Sequence, residues 1–279
     1  MSAKLDAFKA LSAKDKQRAV INWLLDHAMI IIIVLLAIYV QIQRPQFFGV
    51  ASLVNIFSLT AARLPMALGV AGCIVLAGTD LTGGRVAGLT AFVSAILLQR
   101  AGANGRFIPD GVPQNLLLVL LLVMVIGACI GLVNGFIMAK WKLHPYIITL
   151  AMQMITYGIY LTVSNSKQVS SLDTSYTTDF VTKSFVKFGT TSVPTYVVLA
   201  VILTAVMWVV WNKTTFGKNM FAVGSNEEAA RVSGVNVMVT IIGVFMLAGA
   251  LYGYTGFIEA ARLGSSTATL GLNSEADAL

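Results

Sequence analysis

Charged residues are scarce in this chain, and their scarcity argues against a water-soluble fold. Aspartate, glutamate, lysine and arginine together make up 11% of the 279 residues, whereas soluble globular domains contain about 25%. Hydrophobic residues make up 57%, and two runs, Met29–Val40 and Leu116–Ile126, contain no charge at all. Because a helix needs about 20 apolar residues to cross a bilayer core of about 30 Å, the chain is predicted to be an integral membrane protein and not a soluble enzyme.

The apolar runs also lack the alternation of polar and apolar residues that a transmembrane β-barrel requires. Residues 29–36, for example, read Met-Ile-Ile-Ile-Ile-Val-Leu-Leu. A helix satisfies its backbone hydrogen bonds within a single run, which makes it the natural structure for such segments in lipid. The predicted fold class is therefore all-α: a polytopic transmembrane helical bundle with broken or re-entrant helices.

Cysteine is rare too, and the chain lacks the residue groupings of a metal or nucleotide site. Cys73 and Cys129 both lie in apolar runs, where they are expected to be small packing residues and not a disulfide or metal pair. No cluster of histidine, cysteine and carboxylate residues has metal-ligand spacing. A Gly-x-x-x-x-Gly-Lys-Ser/Thr phosphate loop is also missing, since Gly217-Lys218 is followed by Asn219. No cofactor is expected, and any ATP hydrolysis requires a separate subunit.

The net charge of +7 is interpreted as a sign of membrane topology and not of nucleic-acid binding, because cytoplasmic loops of membrane proteins collect lysine and arginine. The basic residues that precede the first apolar run are Lys4, Lys9, Lys14, Lys16 and Arg18. No small-residue cleavage site follows that run, so a cleaved signal peptide is not predicted. Residues 1–26 are instead predicted to be a cytoplasmic segment, and residues 27–279 a transmembrane domain.

Apolar spans are predicted at about 24–42, 55–78, 86–98, 116–138, 146–163, 195–211 and 239–258. The second span is long and is interrupted by Arg63-Leu64-Pro65, and the third is short for a bilayer. Irregular backbone at membrane depth is stable only where protein or a water-filled cavity lines it. The second and third spans are therefore predicted to be broken or re-entrant helices around residues 78–85.

Span parity predicts the loops on each side of the membrane. With a cytoplasmic N-terminus, the segments 79–85, 139–144 and 212–238 lie inside, and the largest outer loop is 164–192. Lysine and arginine in the second and third inner loops support this orientation.

Glycines recur at four-residue spacing in two of the spans. Such small-xxx-small patterns let helix backbones approach closely. The residues concerned are Gly127, Gly131 and Gly135 in one span, and Gly249 and Gly253 in another. A packing role is predicted for them.

The inner loop 212–238 contains the clearest local signal. Ser225 is a candidate N-cap and Glu228 follows three residues later, which is a capping box. Two alanines continue the helix with little bulk, and Gly234 is placed to end it in the left-handed conformation. The result is a helix of about two turns, which is marginal in water by itself and needs a partner surface.

Other polar residues within the spans are expected to have structural roles. Asn134 and Gln153 are predicted to make interhelical hydrogen bonds. The string that begins at Glu259 is similar to the one at Glu228, but its glycine comes one residue earlier and span parity places it outside. Glu259 and Arg262 are therefore predicted to form a three-apart ion pair at a helix end.

The segment 228–234, Glu-Ala-Ala-Arg-Val-Ser-Gly, resembles the coupling motif E-A-A-x-x-x-G of ABC importer permeases. The segment 67–85 resembles the second-span signature of the branched-chain amino acid and monosaccharide permease family, and 214–237 resembles the coupling loop of that family. The form Gly-Thr-Asp-Leu-x-x-Gly-Arg is most similar to the galactose/methyl-galactoside permeases of the family, while ribose permeases share Asp-Leu-x-x-Gly. The similarity covers nearly the whole chain.

The resemblance implies a permease subunit of an ABC importer that moves a monosaccharide, galactose or methyl-galactoside, across the bacterial inner membrane. It implies a separate ABC ATPase subunit that docks on Glu228, Ala229, Ala230 and Gly234. The other implied partners are a second permease copy, a periplasmic sugar-binding protein and membrane lipid, with no nucleic acid. Family members continue past the segment that matches 273–279, so a C-terminally truncated chain is expected.

Thr79, Asp80 and Arg85 are predicted to hydrogen-bond sugar hydroxyls along the translocation path, because a charge at the bilayer centre costs about 2.5–3.5 kcal/mol and is rarely idle. An interfacial N-cap of the third span is the alternative role for Asp80. Two other functions stay open at this point. One is an ion-coupled secondary transporter or channel with a site at the broken helices, and the other is a membrane scaffold that transports nothing.

Overall fold

The computed structural model describes residues 13–76, 78–103, 105–108, 115–188, 191–272 and 274. Lys4, Lys9 and the segment 275–279 lie outside the described residues. The chain divides into two compact units, Met1–Leu53 and Val54–Leu279.

Helices make up most of the described residues, which confirms the predicted all-α class. They are α1 (Ala13–Asp26), α2 (Ala28–Gln43), α3 (Val50–Val75), α4 (Gly83–Leu97), α5 (Leu116–Trp141), α6 (Pro145–Ser164), α7 (Thr195–Lys213), α8 (Thr215–Ser225), α9 (Glu227–Val232) and α10 (Val237–Leu263). Between α6 and α7 lie a helical turn at Thr174–Tyr176, a π-helical turn at Thr177–Val181, and an antiparallel hairpin of β1 (Ser184–Phe188) and β2 (Thr191–Pro194).

Five of these helices, α3, α5, α6, α7 and α10, are long and apolar enough to cross a membrane. Two shorter apolar helices, α2 and α4, contain 16 and 15 residues. Every predicted span therefore contains a helix, and the prediction of a polytopic bundle is confirmed. At a rise of 1.5 Å per residue, α4 is about 22 Å long, which is less than the bilayer core of about 30 Å. One end of α4 must therefore lie at membrane depth.

In the first unit, α1 and α2 meet at His27 with little interruption of the backbone. The His27 N–H donates to the Trp23 carbonyl at 3.1 Å, and the His27 carbonyl accepts from the Ile31 N–H at 2.9 Å. Helix α2 contains no buried residue. A helix that is apolar all round and exposes its side chains is typical of a lipid-facing segment.

Helix α3 runs without a break past Pro65, so the predicted interruption at Arg63-Leu64-Pro65 is wrong. Proline removes one helical hydrogen bond, but membrane helices tolerate it where neighbouring protein satisfies the freed carbonyl. Pro65 is buried within the bundle, which provides such surroundings. The predicted break between the second and third spans does occur, at residues 76–82, between α3 and α4.

Helix α10 lies at the centre of the second unit, packed mainly against α5 and α4. A methyl group added to Gly127 or Gly131 of α5 would collide with the backbone carbonyls of Gly249 and Phe245 on α10. The two backbones therefore touch along this stripe, and the predicted packing role of the spaced glycines is confirmed.

Two of the segments that were predicted to lie inside, 139–144 and 212–238, meet at one end of the second unit. The Lys142 ammonium lies 3.8 Å from the Glu227 carboxylate, which joins the α5–α6 loop to α9. Gly78 of the broken segment lies beside the ring of Pro145 at the start of α6. We name this the coupling end.

Within the second unit, the segments that follow α4, α6 and α10 meet at the opposite end. The Arg100 N–H donates to the Ser171 carbonyl at 2.9 Å. Val169 and Ser266 exchange two backbone hydrogen bonds, of 3.0 and 2.8 Å. We name this the outer end, although its position on the periplasmic side stays a prediction.

Candidate functional site

The short helix α9 begins one residue later than the predicted capping box requires. Ser225 is the last residue of α8, because the Asn226 N–H still donates to the Ala222 carbonyl at 3.1 Å. Asn226 is the N-cap, and its Oδ1 accepts from the Ala229 N–H at 2.9 Å. The predicted Ser225 cap is therefore wrong, and asparagine, an equally good capping residue, takes its place. Glu228 then falls at the second helical position and cannot complete a capping box.

The end of α9 is as predicted. Gly234 has φ of +86°, in the left-handed region. The Gly234 N–H donates to the Arg231 carbonyl and the Val235 N–H to the Ala230 carbonyl, both at 3.0 Å. This pair of bonds is the Schellman motif, in which glycine is favoured because it has no Cβ.

Helix α9 presents one face to the protein and the other to solvent. Ala230 is buried, with 4% of its surface exposed, and packs in the cluster that contains Leu76, Met220 and Val237. Glu228, Ala229 and Arg231 are exposed, and Val232 exposes 90% of its surface. The exposed face therefore combines a small side chain and an unburied apolar one, which suits close docking of another protein.

Helix α8 connects α9 to the end of α3, where the break between α3 and α4 begins. Met220 is fully buried and its sulfur lies near Gly72, close to the C-terminal end of α3. Val223 packs in the same buried cluster. A methyl group at Gly224 would collide with the carbonyl of Val75, the last residue of α3. Displacement of α8 and α9 would therefore act directly on the start of segment 76–82.

Asp80 lies within that segment and is 1% exposed. Its Oδ1 accepts from the Thr82 N–H at 2.9 Å and from the Thr82 hydroxyl at 2.6 Å. Its Oδ2 accepts from the Tyr252 hydroxyl of α10 at 3.1 Å and from the Cys73 thiol of α3 at 3.9 Å. A buried carboxylate needs several donors to offset its desolvation, and these provide them from three parts of the fold. We name Asp80 and its partners the Asp80 network.

Two further helices join this network. The Asn134 amide of α5 donates to the Thr82 hydroxyl at 3.5 Å, and the Thr149 hydroxyl of α6 donates to the Thr79 carbonyl at 3.3 Å. The first contact confirms the expectation that Asn134 makes a polar contact between elements of the bundle. The irregular backbone of residues 78–82 is thus contacted by α3, α5, α6 and α10, as its stability at membrane depth requires.

Sequence reasoning did not identify Tyr252 as the partner of Asp80. The signal was present in two glycines, since Gly69 of α3 and Gly83 of α4 lie directly against the Tyr252 ring. Their lack of side chains leaves the slot through which the hydroxyl reaches the carboxylate. The alternative role of Asp80 as N-cap of α4 is wrong, because Thr82 occupies that position.

Arg85 points away from the Asp80 network. Its guanidinium carbon lies 3.9 Å from the centroid of the Tyr157 ring on α6, a cation–π contact. The predicted path residues Thr79, Asp80 and Arg85 therefore do not share one site: Thr149 contacts the Thr79 carbonyl, Asp80 binds Thr82 and Tyr252, and Arg85 stacks on Tyr157. The expected ion pair between Glu259 and Arg262 is confirmed, with a closest approach of 2.7 Å.

Comparison with known proteins agrees with this organisation. The family described as "Branched-chain amino acid transport system / permease component" matches residues 46–279. The galactose/methyl galactoside import permease protein MglC of Salmonella typhimurium is 39% identical over 272 residues, which are 96% of this chain and 80% of that protein. The protein of the same name from Escherichia coli K12 is 42% identical over 253 residues, 90% of this chain and 74% of that protein.

A more distant relative is the ribose import permease protein RbsC of Escherichia coli K12. It is 31% identical over 258 residues, which cover 92% of this chain and 76% of that protein. No solved structure gives a significant match. The matched residues include α3 to α10 and hence both the coupling end and the Asp80 network. The chain belongs to the family of branched-chain amino acid transport system permease components.

Proposed function

We propose that the chain is the membrane-spanning permease subunit of an ATP-driven importer that carries galactose or a methyl galactoside into a bacterial cell. The printed names of the relatives, at 36–42% identity over most of the chain, support this substrate class. The apolar helices support a multi-pass protein of the inner membrane. The chain is not an enzyme under this proposal, since it has no phosphate loop and ATP is hydrolysed on a partner.

The exposed face of α9 is the single observation that carries the proposal. It is a short helix, capped at both ends, docked through Ala230 and otherwise open. An isolated helix of six residues would not be stable in water. In this fold it is supported on one side, while none of the described residues covers its Ala229 and Val232 side. We assign this surface, with Glu228, Ala229 and Gly234, to the ATPase subunit. Ala230, which was predicted to dock with them, is buried and instead anchors α9 to the permease.

Movement of α9 reaches the membrane interior through identified contacts. Ala230 packs in the same cluster as Leu76, the residue that follows α3. Four residues later, Asp80 is hydrogen-bonded to Tyr252 on α10. ATP-driven closure that shifts α9 would therefore shift segment 76–82 and, through the Asp80 network, α3 and α10. Thr79 and Arg85, which are half-buried, stay proposed path-lining residues. Asp80 is proposed to hold the segment that contains Thr79 against α10 through its hydrogen bond with Tyr252.

A second copy of the permease is part of the proposal. Arg63 is exposed in the middle of α3, which is otherwise an apolar span. An arginine that faces lipid at that depth is costly, so such residues face other protein or a water-filled cavity. Arg63 also borders the polar cavity beside α10, and pairing of two copies along this side of α3 is proposed to cover the rest of its exposed surface. A periplasmic sugar-binding protein is proposed to meet the outer end.

Reconstitution tests the proposed function. Proteoliposomes that contain the chain, its ATPase partner and the sugar-binding protein are expected to accumulate radiolabelled galactose only when ATP is supplied to the ATPase side. Uptake driven equally well by an ion gradient without ATP would contradict the proposal and favour a secondary transporter. Co-purification from membranes, with mass spectrometry of the bound ATPase, identifies the partner.

A further inference from the structure

A polar cavity of about 330 Å³ lies between α3, α4, α10 and the segment after α10. Its polar lining residues are Arg63, Thr255, Glu259, Arg262, Thr267, Thr269 and Ser274. This volume falls at the lower end of the range of about 300–1,000 Å³ for small-molecule sites. Thr255 lies eight residues before the end of α10 at Leu263, which places it about 12 Å below the outer end of that helix.

The ion pair in this cavity leaves hydrogen-bonding capacity for a ligand. Arg262 donates to Glu259 through its Nε at 2.9 Å and a terminal nitrogen at 2.7 Å, and both bonds go to the same carboxylate oxygen, Oε2. Arg262 does not engage Oε1. The Thr255 hydroxyl donates to the Leu251 carbonyl at 3.0 Å, so its oxygen can still accept from another donor.

The mixture of charges selects the class of ligand. Glu259 supplies acceptors, whereas Arg63 and Arg262 supply donors, all around one small volume. A buried anion would meet the Glu259 carboxylate, which is 9% exposed, and a cation would meet two guanidinium groups. An uncharged molecule with neighbouring hydroxyls can donate to the carboxylate and accept from the guanidinium groups at the same time.

We infer that this cavity binds an uncharged monosaccharide on its way through the permease, with Glu259, Arg262 and Thr255 as contacts to its hydroxyl groups. This inference rests on the proposed function and adds the site. The cavity lies towards the outer end, where sugar would enter from the binding protein. It is separate from the Asp80 network, which is satisfied by protein donors.

Uptake of galactose and of its monodeoxy derivatives by the reconstituted complex tests the inference. Thr255→Val removes a hydrogen bond to ligand, and Glu259→Gln replaces a charge-assisted bond by a weaker neutral one. Each is expected to lower galactose uptake by about tenfold or more. Stimulation of ATP hydrolysis by the binding protein should stay within about twofold of the unaltered complex, since α9 is untouched. Thr162→Val is the matched control, because Thr162 makes the same bond to a carbonyl one turn earlier but is exposed.

The deoxy sugars separate ligand contact from structural support. The unaltered complex should import a deoxy sugar less well when the missing sugar hydroxyl is one that Thr255 or Glu259 contacts. A variant in which that side chain is altered should no longer discriminate between galactose and that deoxy sugar. A swap of the pair, Glu259→Arg with Arg262→Glu, should keep the ion pair and the amount of folded protein but not restore uptake.

Three results would overturn the inference: unchanged uptake by Thr255→Val and Glu259→Gln, unchanged discrimination among the deoxy sugars, or full recovery of uptake by the swap. All three leave the proposed function intact, provided that the unaltered complex imports galactose. Failure of the unaltered complex to import galactose would instead overturn the proposed function.

Discussion

Two stretches of this chain are nearly the same in sequence and opposite in environment. Residues 228–234 read Glu-Ala-Ala-Arg-Val-Ser-Gly, and residues 259–264 read Glu-Ala-Ala-Arg-Leu-Gly. The first forms a separate six-residue helix at the coupling end, whereas the second is the last turn of the 27-residue α10 at the outer end. Both stop at a glycine with positive φ, +86° at Gly234 and +66° at Gly264.

The difference lies in what each stretch touches. At the outer end, Ala260 and Ala261 are buried, and the glutamate is buried against its own arginine. At the coupling end, only Ala230 is buried, and the exposed Glu228 and Ala229 face outward. Local sequence thus sets where each helix stops. The packing of the residues that precede each stretch decides whether the stretch is buried in the bundle or exposed as a docking surface. Asn226 separates the first string from α8, and no such break precedes the second.

The largest effect is expected where the two strings differ most in burial. Ala260→Leu adds three carbons to a fully buried site and should lower the free energy of unfolding by about 3 kcal/mol through overpacking. The matched change Ala229→Leu, on an exposed position, should alter stability by less than about 0.5 kcal/mol but weaken binding of the ATPase. Denaturant unfolding in detergent and ATPase pull-down measure the two effects. Equal destabilisation by both variants would remove the contrast between the two strings.

A smaller loss is expected in the Asp80 network, which connects the two ends. Tyr252→Phe removes the donor to Asp80 Oδ2 and should cost about 1–2 kcal/mol, because a buried carboxylate then loses one of its donors. Uptake should fall further than ATP hydrolysis, since the tether between segment 76–82 and α10 is weakened. Phe257→Leu, in the other buried cluster of α10, is the comparison. Phe257→Leu should lower stability but reduce ATP hydrolysis and sugar uptake to the same extent. If Phe257→Leu also reduced uptake more than hydrolysis, the result would argue against a specific link between Asp80 and α10.

The two terminating glycines provide the next comparison. Within the part of the chain that the structure describes, no neighbouring atom lies within 4 Å of a Cβ at Gly234 or Gly264, so Gly234→Ala and Gly264→Ala should each cost about 1 kcal/mol through left-handed backbone strain alone. Only Gly234→Ala should reduce ATPase-dependent uptake, and Gly234→Val more strongly, while the protein still reaches the membrane. Normal uptake by Gly234→Val would contradict the coupling role of α9.

The smallest effect concerns the exposed ion pairs of α9. Glu227 lies 2.6 Å from Arg231 and 3.8 Å from Lys142, and all three side chains are substantially exposed. Such pairs contribute little in water, so Glu227→Gln should change the unfolding free energy by less than about 0.5 kcal/mol. Thermal unfolding in detergent at low and high salt measures this, and a large, salt-independent loss would show that the pair is structural.

Much of the fold could be predicted because long apolar runs leave few alternatives in lipid. The helices, the break between α3 and α4, the packing role of the spaced glycines and the left-handed Gly234 all follow from local sequence and elementary sterics. The continuity of α3 at Pro65 did not, because it depends on surrounding protein. The Asp80–Tyr252 hydrogen bond joins residues 172 positions apart, and no local pattern specifies which hydroxyl fills the slot between Gly69 and Gly83.

The central claim, that α9 is a cytoplasmic docking surface for an ATPase, is tested most directly by thiol labelling of Val232→Cys. The reference is Thr174→Cys at the outer end, also exposed, and both are made with Cys129→Ala because Cys129 is exposed while Cys73 is buried. In inside-out vesicles an impermeant maleimide should label Val232→Cys but not Thr174→Cys, and added ATPase subunit should protect it; in intact cells the labelling should reverse. Labelling of Val232→Cys from outside intact cells, or no protection by a bound ATPase, would contradict the account.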